Sequence, residues 1–459
     1  MRLSEECLDR LPADIAPYAY DRAAQAIGIV HFGIGAFHRA HQAWYTDAAL
    51  RAGDQNWMIL GVSLRSADVA TQMNPQDGLF TLTERSGAGA ACRVVRSVRE
   101  VVVASQNPEA VIAALAAPTT QIITLTITEK GYCRKPDGGL DLDRAGPESV
   151  FSFLALGLAR RRAAGLPGLT LMSCDNLADN GGQLRRLVAE YCDHHDPDLG
   201  VWIARECTFP STMVDRIVPA PTDADRAAVS VALGGMEDAA AIVTEPFSQW
   251  VIEDRFAGPR PKWDEVGAQL VQDVAPYELA KLRMLNGAHS ALAYLGLRKG
   301  YAFVHQAIAD ADIGPLVRRL MVDEALPTIP ATPGQNLTAY ADALFARFAN
   351  PALQHRLRQI AMDGSQKIPQ RWLSVLEERN RLGEDSPALL TALAVWLCHS
   401  RGDNGPVEDP NVAELTAAWA QGDADCAIKA LFGASGMFAS LVSLSDAQRA
   451  ELTRQIAIA

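Results

Sequence analysis

Four polar side chains suited to acid–base chemistry recur at helical spacing between residues 278 and 289. They are Glu278, Lys281, Asn286 and His289. At about 100° per residue of an α-helix, they fall within an arc of roughly 140°. Leucines share that arc, and a lysine among leucines loses solvation, which lowers its pKa and suits it to act as a general base. The spacing therefore predicts a catalytic base at Lys281; the alternative is a surface lysine that extends into water.

A glycine turn suited to a dinucleotide phosphate follows the apolar run at residues 27–35. Gly33 and Gly35 stand where a strand is expected to pass into a helix. The first glycine permits the tight turn, and the second lets the backbone approach a pyrophosphate near the free N–H groups of the helix. His38 replaces the third glycine of the fingerprint, and Arg39 is expected to add positive charge. The expected cofactor site comprises Gly33, Gly35, Phe37, His38, Arg39 and Asp68.

Asp68 is the acidic residue that we expect to hold the adenosine ribose. It follows the second predicted strand, residues 57–64. A carboxylate there favours NAD, because it repels the 2′-phosphate of NADP, whereas the nearby Arg65 leaves NADP open. The alternative role of Asp68 is to cap a helix.

Further polar candidates lie at the end of a strand and in two later segments. Asn176 follows the strand 169–173, where open α/β sheets bind their ligands, and it either donates to a substrate oxygen or forms a local turn. Asp215 beside Arg216 is either a site residue or half of a structural ion pair. Lys367 and Arg371 lie in a polar segment, expected to be a loop, that suits a substrate carboxylate.

Metal chemistry is not expected from the histidines and cysteines. His31, His38 and His41 cluster without further ligands at suitable spacing. The eight cysteines form no CxxC pair, which argues against a disulfide framework or zinc ribbon and favours a cytoplasmic setting.

The elements that must position these residues form two predicted domains. Strands within 27–35 and at 57–64, 122–128 and 169–173 alternate with helices, which predicts a Rossmann-type doubly wound sheet in an α/β domain, residues 1–274. Beyond it the helical period dominates, which predicts a mainly α-helical domain, residues 275–459. The predicted helices there span 278–297, 311–325, 337–348, 352–361 and 386–400.

Composition excludes several other classes of protein. The 459 residues carry a formal charge of −12, which argues against nucleic acid as a partner. No apolar run reaches the length of a membrane span, and the amphipathic N-terminal segment does not read as a signal peptide. We therefore expect a small-molecule partner.

Six segments in fixed order resemble the polyol-specific long-chain dehydrogenases, the mannitol dehydrogenase family. They are IVHFGIGAFHRAHQAWYTD, TLTITEKGYC, MSCDN, FPSTMVDRIVP, EPFSQWVIED and KLRMLNGAHSALAYLG. The resemblance runs from about residue 27 to the 430s and implies metal-free, NAD-dependent oxidation of a secondary alcohol.

The resemblance also implies a role for each matching residue. It implies Lys281 as the catalytic lysine, Asn176 and Asn286 as donors to the reacting oxygen, and His289 as the residue that orients the substrate. It places Asp215 near the site, Glu278 in proton movement and Lys367 against the substrate. Monomers are common in this family, although the residues themselves do not set the oligomeric state.

The substrate is narrowed but not fixed by the resemblance. FPSTMVDRIVPA, KLRMLNG and IAMDGSQKIPQR are closer to the fructuronate reductase branch, which favours D-mannonate and D-fructuronate. GVSLRSAD is closer to the mannitol 2-dehydrogenase branch, with Ala67 where those enzymes often carry another acid. D-mannitol and D-fructose are therefore the alternative pair, and a non-catalytic NAD-binding regulator is the alternative from another class.

Overall fold

The computed structural model describes residues 1–13, 15 and 20–458. The chain divides into two compact units, Met1–Ala275 and Pro276–Ala459, beside the predicted boundary at residues 274 and 275. The predicted fold class, a doubly wound α/β unit followed by a mainly helical unit, is confirmed.

The first unit contains the strands. In chain order they are β1 Ile27–Phe32, β2 Met58–Ser63, β3 Phe80–Ser86, β4 Gly89–Val95, β5 Val98–Val103, β6 Ile122–Leu125, β7 Thr170–Ser173, β8 Thr212–Asp215, β9 Ile242–Thr244, β10 Gln249–Glu253 and β11 Gln269–Val271.

The main sheet is parallel, with the strand order β5-β2-β1-β6-β7. Val30 of β1 pairs with Leu60 on one side and with Ile123 on the other. Counted along this sheet, the order is 3-2-1-4-5, that of dinucleotide-binding folds, and it reverses between β1 and β6. The carboxyl ends of these two strands therefore mark the crevice where such sheets bind ligands.

Both faces of the main sheet are buried, as a parallel sheet requires. Ile29 packs into one apolar core, while Val30 and Phe32 pack into another on the opposite face. This alternation follows from the period of two along a strand. It places His31 on the same face as Ile29.

Helices connect these strands and cover the sheet. The helices of the first unit are Ala36–Ala40, Gln42–Arg51, Asp68–Met73, Pro108–Leu115, Thr128–Gly131, Val150–Ala163, Asn180–His195, Pro197–Glu206 and Asp223–Ala232, with 3-10 turns at Glu5–Arg10, Asn74–Gln76 and Trp263–Val266.

Two smaller sheets, β4-β3-β9 and β11-β10-β8, were not predicted from the sequence, nor was β5. The strand β4 passes from exposed residues to buried ones and mixes arginine with small residues. Such a strand lacks the uniform apolar run by which buried strands are recognised. Its pairing with β3 is decided by tertiary contacts.

The second unit packs helices around one apolar core. Its α-helices are Ala275–Ala280, Gly287–Arg298, Val304–Ile308, Ile313–Arg319, Leu337–Phe348, Leu357–Ala361, Gly364–Ile368, Ser374–Leu382, Pro387–Arg401, Val412–Trp419, Ala424–Phe432 and Asp446–Ile458. Wider π-helical turns span Lys281–Asn286, Leu320–Ala325 and Pro369–Leu373, and 3-10 turns span Leu326–Thr328 and Pro351–Leu353.

Candidate active site

The glycine turn after β1 is tight at one residue and open at another. Gly33 has φ +93°, and a Cβ there would lie 2.1 Å from the Thr126 carbonyl oxygen. A Cβ on Gly35 would meet no described atom closer than 3.8 Å, the carbonyl oxygen of Gly33. Packing therefore requires the first glycine, whereas the second leaves space beside the backbone. That space lies where the sheet order reverses, so the turn fits a dinucleotide.

Two histidines stack beneath this turn. The His31 and His38 ring centroids lie 3.4 Å apart with 16° between their planes. His31 Nδ1 contacts Thr124 Oγ1 at 2.7 Å, and its Nε2 contacts Thr126 Oγ1 at 2.9 Å. Burial lowers the pKa of His31 to about 3 and holds that of His38 well below its ordinary value, with His31 adding to the latter effect. Both rings are therefore neutral near pH 7.

The side chain of Arg39 was expected to add positive charge at the cofactor phosphate, but it points into the protein interior. It is buried; its Nη1 donates to the Ala240 carbonyl at 2.6 Å and its Nε to the Gly35 carbonyl at 3.3 Å. Burial lowers its pKa to about 10. Phe37 stacks on His41, with centroids 5.2 Å apart. The side chains of His38 and Arg39 thus support the turn from within, and the expected charge on a cofactor phosphate gains no support.

Asp68 is exposed and begins the helix Asp68–Met73, beyond the carboxyl end of β2. The cap position belongs to Ala67, so the alternative role of Asp68 as a helix cap is wrong. Its role towards the cofactor stays a prediction.

A half-buried carboxylate connects the ends of β6 and β7. Asp175 accepts hydrogen bonds from the Ile127 N–H at 3.0 Å, the Thr128 N–H at 2.9 Å and the Tyr132 hydroxyl at 2.8 Å. Burial raises its pKa, and these three donors oppose the rise. Thr128 has φ +62°, which is unusual for a β-branched residue. Asp175 thus fixes this loop and the backbone of its neighbour Asn176, whose side chain is exposed.

Asp215 ends β8, is buried and pairs in register with Gln249. The alternative of an Asp215–Arg216 ion pair gains no support, because Arg216 has another partner. The Arg216 Nη2 lies 2.5 Å from Glu84 Oε1, and its Nη1 donates to the Ala40 carbonyl. Arg216 lies just beyond the end of β8 and is held by these contacts.

The helix that carries Lys281 is wider than the α-helix assumed from the sequence. Residues Lys281–Asn286 form a π-helical turn, which continues into the helix Gly287–Arg298. A π turn bonds residue i to i+5, so it contains one residue more than a turn of α-helix. Later residues are therefore rotated back about the helix axis by about 100° relative to an uninterrupted α-helix. Asn286 moves to roughly 40° from Lys281 and His289 to roughly −20°. With Glu278 at roughly 60°, the arc narrows from roughly 140° to about 80°.

His289 is buried in an aromatic setting. Its ring centroid lies 4.8 Å from that of Phe348 and 5.2 Å from that of His355. Burial, together with His355, Arg347 and Arg371, holds its pKa well below the ordinary value. Its Nε2 has no hydrogen-bond partner within the part of the chain that the structure describes. A neutral imidazole with a buried, unmatched nitrogen fits a ligand hydroxyl.

The polar segment 363–371 is helical, so the predicted loop is wrong. Gly364–Ile368 is an α-helix and Pro369–Leu373 a π turn. Proline disrupts an α-helix interior, which made a loop the natural expectation. Lys367 donates from Nζ to the Met362 carbonyl at 2.6 Å and lies 3.6 Å from Asp363. Burial, and next Arg371, lower its pKa.

Arg371 contacts the helix that carries Asn286. Its Nη1 donates to the Ser290 hydroxyl at 2.8 Å and to the Asn286 carbonyl at 3.3 Å. Burial lowers its pKa to about 10. Arg283, on the same π turn as Lys281, is buried and donates to the Thr328 carbonyl at 2.6 Å.

Sequence reasoning missed four residues that support candidate side chains, each within its own unit: Tyr132 and Asp175 in the first unit, Ser290 and Trp372 in the second. Ser290 follows Asn286 by four positions, a spacing that places both on one helix face and was available as a signal. Tyr132 and Asp175 meet only through the pairing of β6 with β7. No local pattern reveals that contact.

The described residues contain no group of side chains arranged to hold a metal ion. Within the same residues, no helix has the length and apolarity that crossing a membrane requires. All eight cysteines are free thiols.

The chain thus has the architecture of a dinucleotide-binding α/β protein with an added helical unit. Comparison with known families makes this specific. The Rossmann domain of mannitol dehydrogenase matches residues 27–265, and the C-terminal domain of mannitol dehydrogenase matches residues 273–457. The chain belongs to the mannitol dehydrogenase family and is an oxidoreductase.

Relatives with different substrates in their names are similar to this chain. A D-mannonate oxidoreductase of Escherichia coli is 40% identical, over 93% of this chain and 91% of the relative. A mannitol 2-dehydrogenase of Pyrenophora tritici-repentis is 39% identical, over 94% and 80%. The solved mannitol 2-dehydrogenase of Pseudomonas fluorescens, a ternary complex with NAD and D-mannitol, is 35% identical with a TM-score of 0.82, covering 100% of this chain and 96% of that one.

Proposed function

We propose that this protein is an NAD-dependent oxidoreductase that interconverts D-mannonate and D-fructuronate. The observation that carries the proposal is the π turn, which brings Lys281, Asn286 and His289 to one side of a single helix. Without that turn the three side chains spread over a wider arc. The similarity to a D-mannonate oxidoreductase supports the choice of substrate.

Gly33, Gly35 and Asp68 would hold the cofactor. The open space beside Gly35 and the exposed carboxylate of Asp68 match its pyrophosphate and ribose. When bound, NAD would supply the hydride acceptor. A carboxylate at Asp68 favours NAD over NADP, and a direct comparison of the two cofactors tests this preference.

Lys281 is proposed as the general base. Its neutral amine takes the proton of the substrate alcohol as the C–H hydride leaves, and the resulting ammonium returns that proton in the reverse direction. Glu278, on the preceding helical turn, is proposed to pass the proton on to solvent.

Asn176 and Asn286 are proposed as amide donors to the reacting oxygen. Such donors stabilise the negative charge that develops on that oxygen by a few kcal/mol. His289 is proposed to bind a neighbouring hydroxyl through the buried Nε2. Asp215 is proposed to lie near the substrate, as in the family resemblance.

Lys367 is proposed to bind the carboxylate of a sugar acid. An ammonium has three donors, and the described contacts of Lys367 are the Met362 carbonyl and Asp363. Arg371 beside it adds positive charge. A neutral hexitol makes no use of this charge.

A mannitol 2-dehydrogenase is the second candidate. The family resemblance at GVSLRSAD and the similarity to two mannitol 2-dehydrogenases favour it. This candidate uses the same Lys281 chemistry and differs in what Lys367 binds.

Purified protein mixed with NAD and with D-mannonate or D-mannitol, followed at the NADH absorbance, tests the proposal. We expect kcat/KM for D-mannonate to exceed that for D-mannitol. The reverse order assigns the second candidate, and no turnover with either substrate contradicts both.

The Lys281→Ala variant tests the mechanism. We expect kcat to fall by several orders of magnitude while NAD binding persists, because the base acts only in the chemical step. Lys429→Ala, which removes an exposed lysine paired with Asp425, is the matched control. Full activity of Lys281→Ala would exclude the lysine mechanism.

A further inference from the structure

Residues of a second π turn, Pro369–Leu373, donate hydrogen bonds to the helix that contains the π turn Lys281–Asn286. Arg371 donates from one nitrogen, Nη1, to the Ser290 hydroxyl and the Asn286 carbonyl, at 2.8 and 3.3 Å. The next residue, Trp372, donates from its indole nitrogen to the Gly287 carbonyl at 3.0 Å. Both donors therefore reach the helix where the wide turn gives way to regular α-helix.

These contacts lie in a closely packed region. Trp372 is fully buried, and Ser290 is 1% exposed. A Cβ on Gly287 would lie 3.5 Å from the Arg371 carbonyl oxygen and 3.6 Å from the Trp372 indole nitrogen, so the two segments pack closely at this glycine. A buried, matched donor is costly to remove, because its acceptor is left without a partner.

We propose that Arg371 is a positioning residue that locks the π turn, and thereby the direction of Asn286 and His289 relative to Lys281. This inference rests on the proposed roles of those three residues. It gives Arg371 a role different from the carboxylate binding expected from the sequence.

The physical reason is the narrow margin between two helical forms. A π turn is rare and persists where surrounding contacts hold it. If the turn relaxed to α-helix, Asn286 and His289 would rotate by about 100° away from their present directions. The guanidinium is planar and presents several donors in fixed directions, whereas a lysine amine is a point charge on a flexible stem.

Arg371→Met and Arg371→Lys separate positioning from substrate binding. We expect both variants to lose kcat, by about tenfold or more for Met, on every substrate that the native protein turns over, charged or neutral, with little change in KM. Loss confined to KM for the sugar acid, with recovery in the lysine variant, would overturn the inference in favour of a carboxylate contact.

A double-mutant cycle with Ser290→Ala tests the contact itself. If Arg371 acts through Ser290, the combined loss of kcat is smaller than the product of the two single losses. Independent, multiplying effects contradict the lock. Gln370→Ala, an exposed neighbour on the same turn, is the control expected to keep native kcat and KM.

Denaturant unfolding gives a readout that needs no substrate. It is applied to the native protein, Arg371→Met, Ser290→Ala and the double variant. We expect the effects of Arg371→Met and Ser290→Ala on the free energy of unfolding to be coupled, whereas additive effects contradict the contact. If the native protein were inactive on every substrate, the proposed function would be wrong. The coupling in unfolding free energy would then still test whether Arg371 holds the π turn.

Discussion

At the scale of single residues, Gly33 and Gly35 differ in what each glycine is for. Gly33 has a positive φ and faces the Thr126 carbonyl at a distance that no Cβ tolerates. Gly35 has φ −81°, which suits any residue, and faces open space. The packing of the turn therefore requires the first glycine, whereas the proposed cofactor binding uses the space beside the second.

Gly35→Ala should leave the fold intact and weaken NAD binding. We expect the free energy of unfolding to change by less than about 0.5 kcal/mol, because the added methyl would meet no described atom closer than 3.8 Å. The dissociation constant for NAD, measured by calorimetry, should rise by about tenfold or more, or about 1.4 kcal/mol.

Gly33→Ala is the matched comparison. It should destabilise the fold by more than about 3 kcal/mol, since it combines left-handed strain with a backbone clash. Unchanged NAD binding in Gly35→Ala would contradict the assignment of the turn to the cofactor.

At the scale of elements, the ends of β6 and β7 are joined through one carboxylate. Asp175 accepts from two backbone N–H groups and from Tyr132, and the Tyr132 hydroxyl also lies 2.6 Å from Ser173 Oγ. This network fixes the loop of Thr128 and the backbone that leads to Asn176. Strand pairing alone leaves both loops without such a support.

Asp175→Asn should lower both stability and kcat. The amide NH₂ replaces one acceptor with a donor, so at least one of the three donors loses a charged partner, at about 1–3 kcal/mol. Because Asn176 is the next residue, we expect kcat to fall more than KM rises.

Tyr132→Phe leaves two backbone donors on Asp175 and should cost about 1 kcal/mol with a smaller change in kcat. Native stability and kcat in Asp175→Asn would show that the network does not position the loop. Denaturant unfolding and steady-state kinetics measure the two quantities.

At the scale of the whole molecule, buried histidines make the fold sensitive to acid. His31 is fully buried with a pKa of about 3, against about 6.5 in an unfolded chain. Because the folded pKa is lower, the unfolded chain binds the proton first. The contribution of His31 to stability is fully present above pH 6.5 and is lost as the pH falls from about 6.5 towards about 3.

His31→Gln should reduce the pH dependence of unfolding. The free energy of unfolding of the native protein should decrease as the pH is lowered from 6.5 to 4. His31 should contribute up to about 1.4 kcal/mol of this decrease per pH unit. The variant should be less stable at pH 7.5 and show a smaller slope in denaturant titrations across this range. The exposed His194→Gln is the control, with a slope parallel to that of the native protein. Parallel slopes in His31→Gln and the native protein would contradict the assignment.

The sequence by itself determined the class of fold and most of the candidate residues. Apolar runs ending in glycine mark β1, and the change from strand to helical period marks the second unit, because both signals are local in the chain. The glycine turn, Asn176 and the Lys281 segment were found in the same way. The family resemblance supplied their expected roles.

Tertiary structure decided the features that depend on contacts between distant segments. The wide turn Lys281–Asn286 packs against Pro369–Leu373, and a regular helical period of 3.6 does not predict it. The burial of Arg39, the partner of Arg216 and the Asp175 network likewise require segments far apart in sequence to meet. The sequence determines which side chains are present. Their burial and partners, which set their pKa values and the directions in which they point, exist only once the chain is packed.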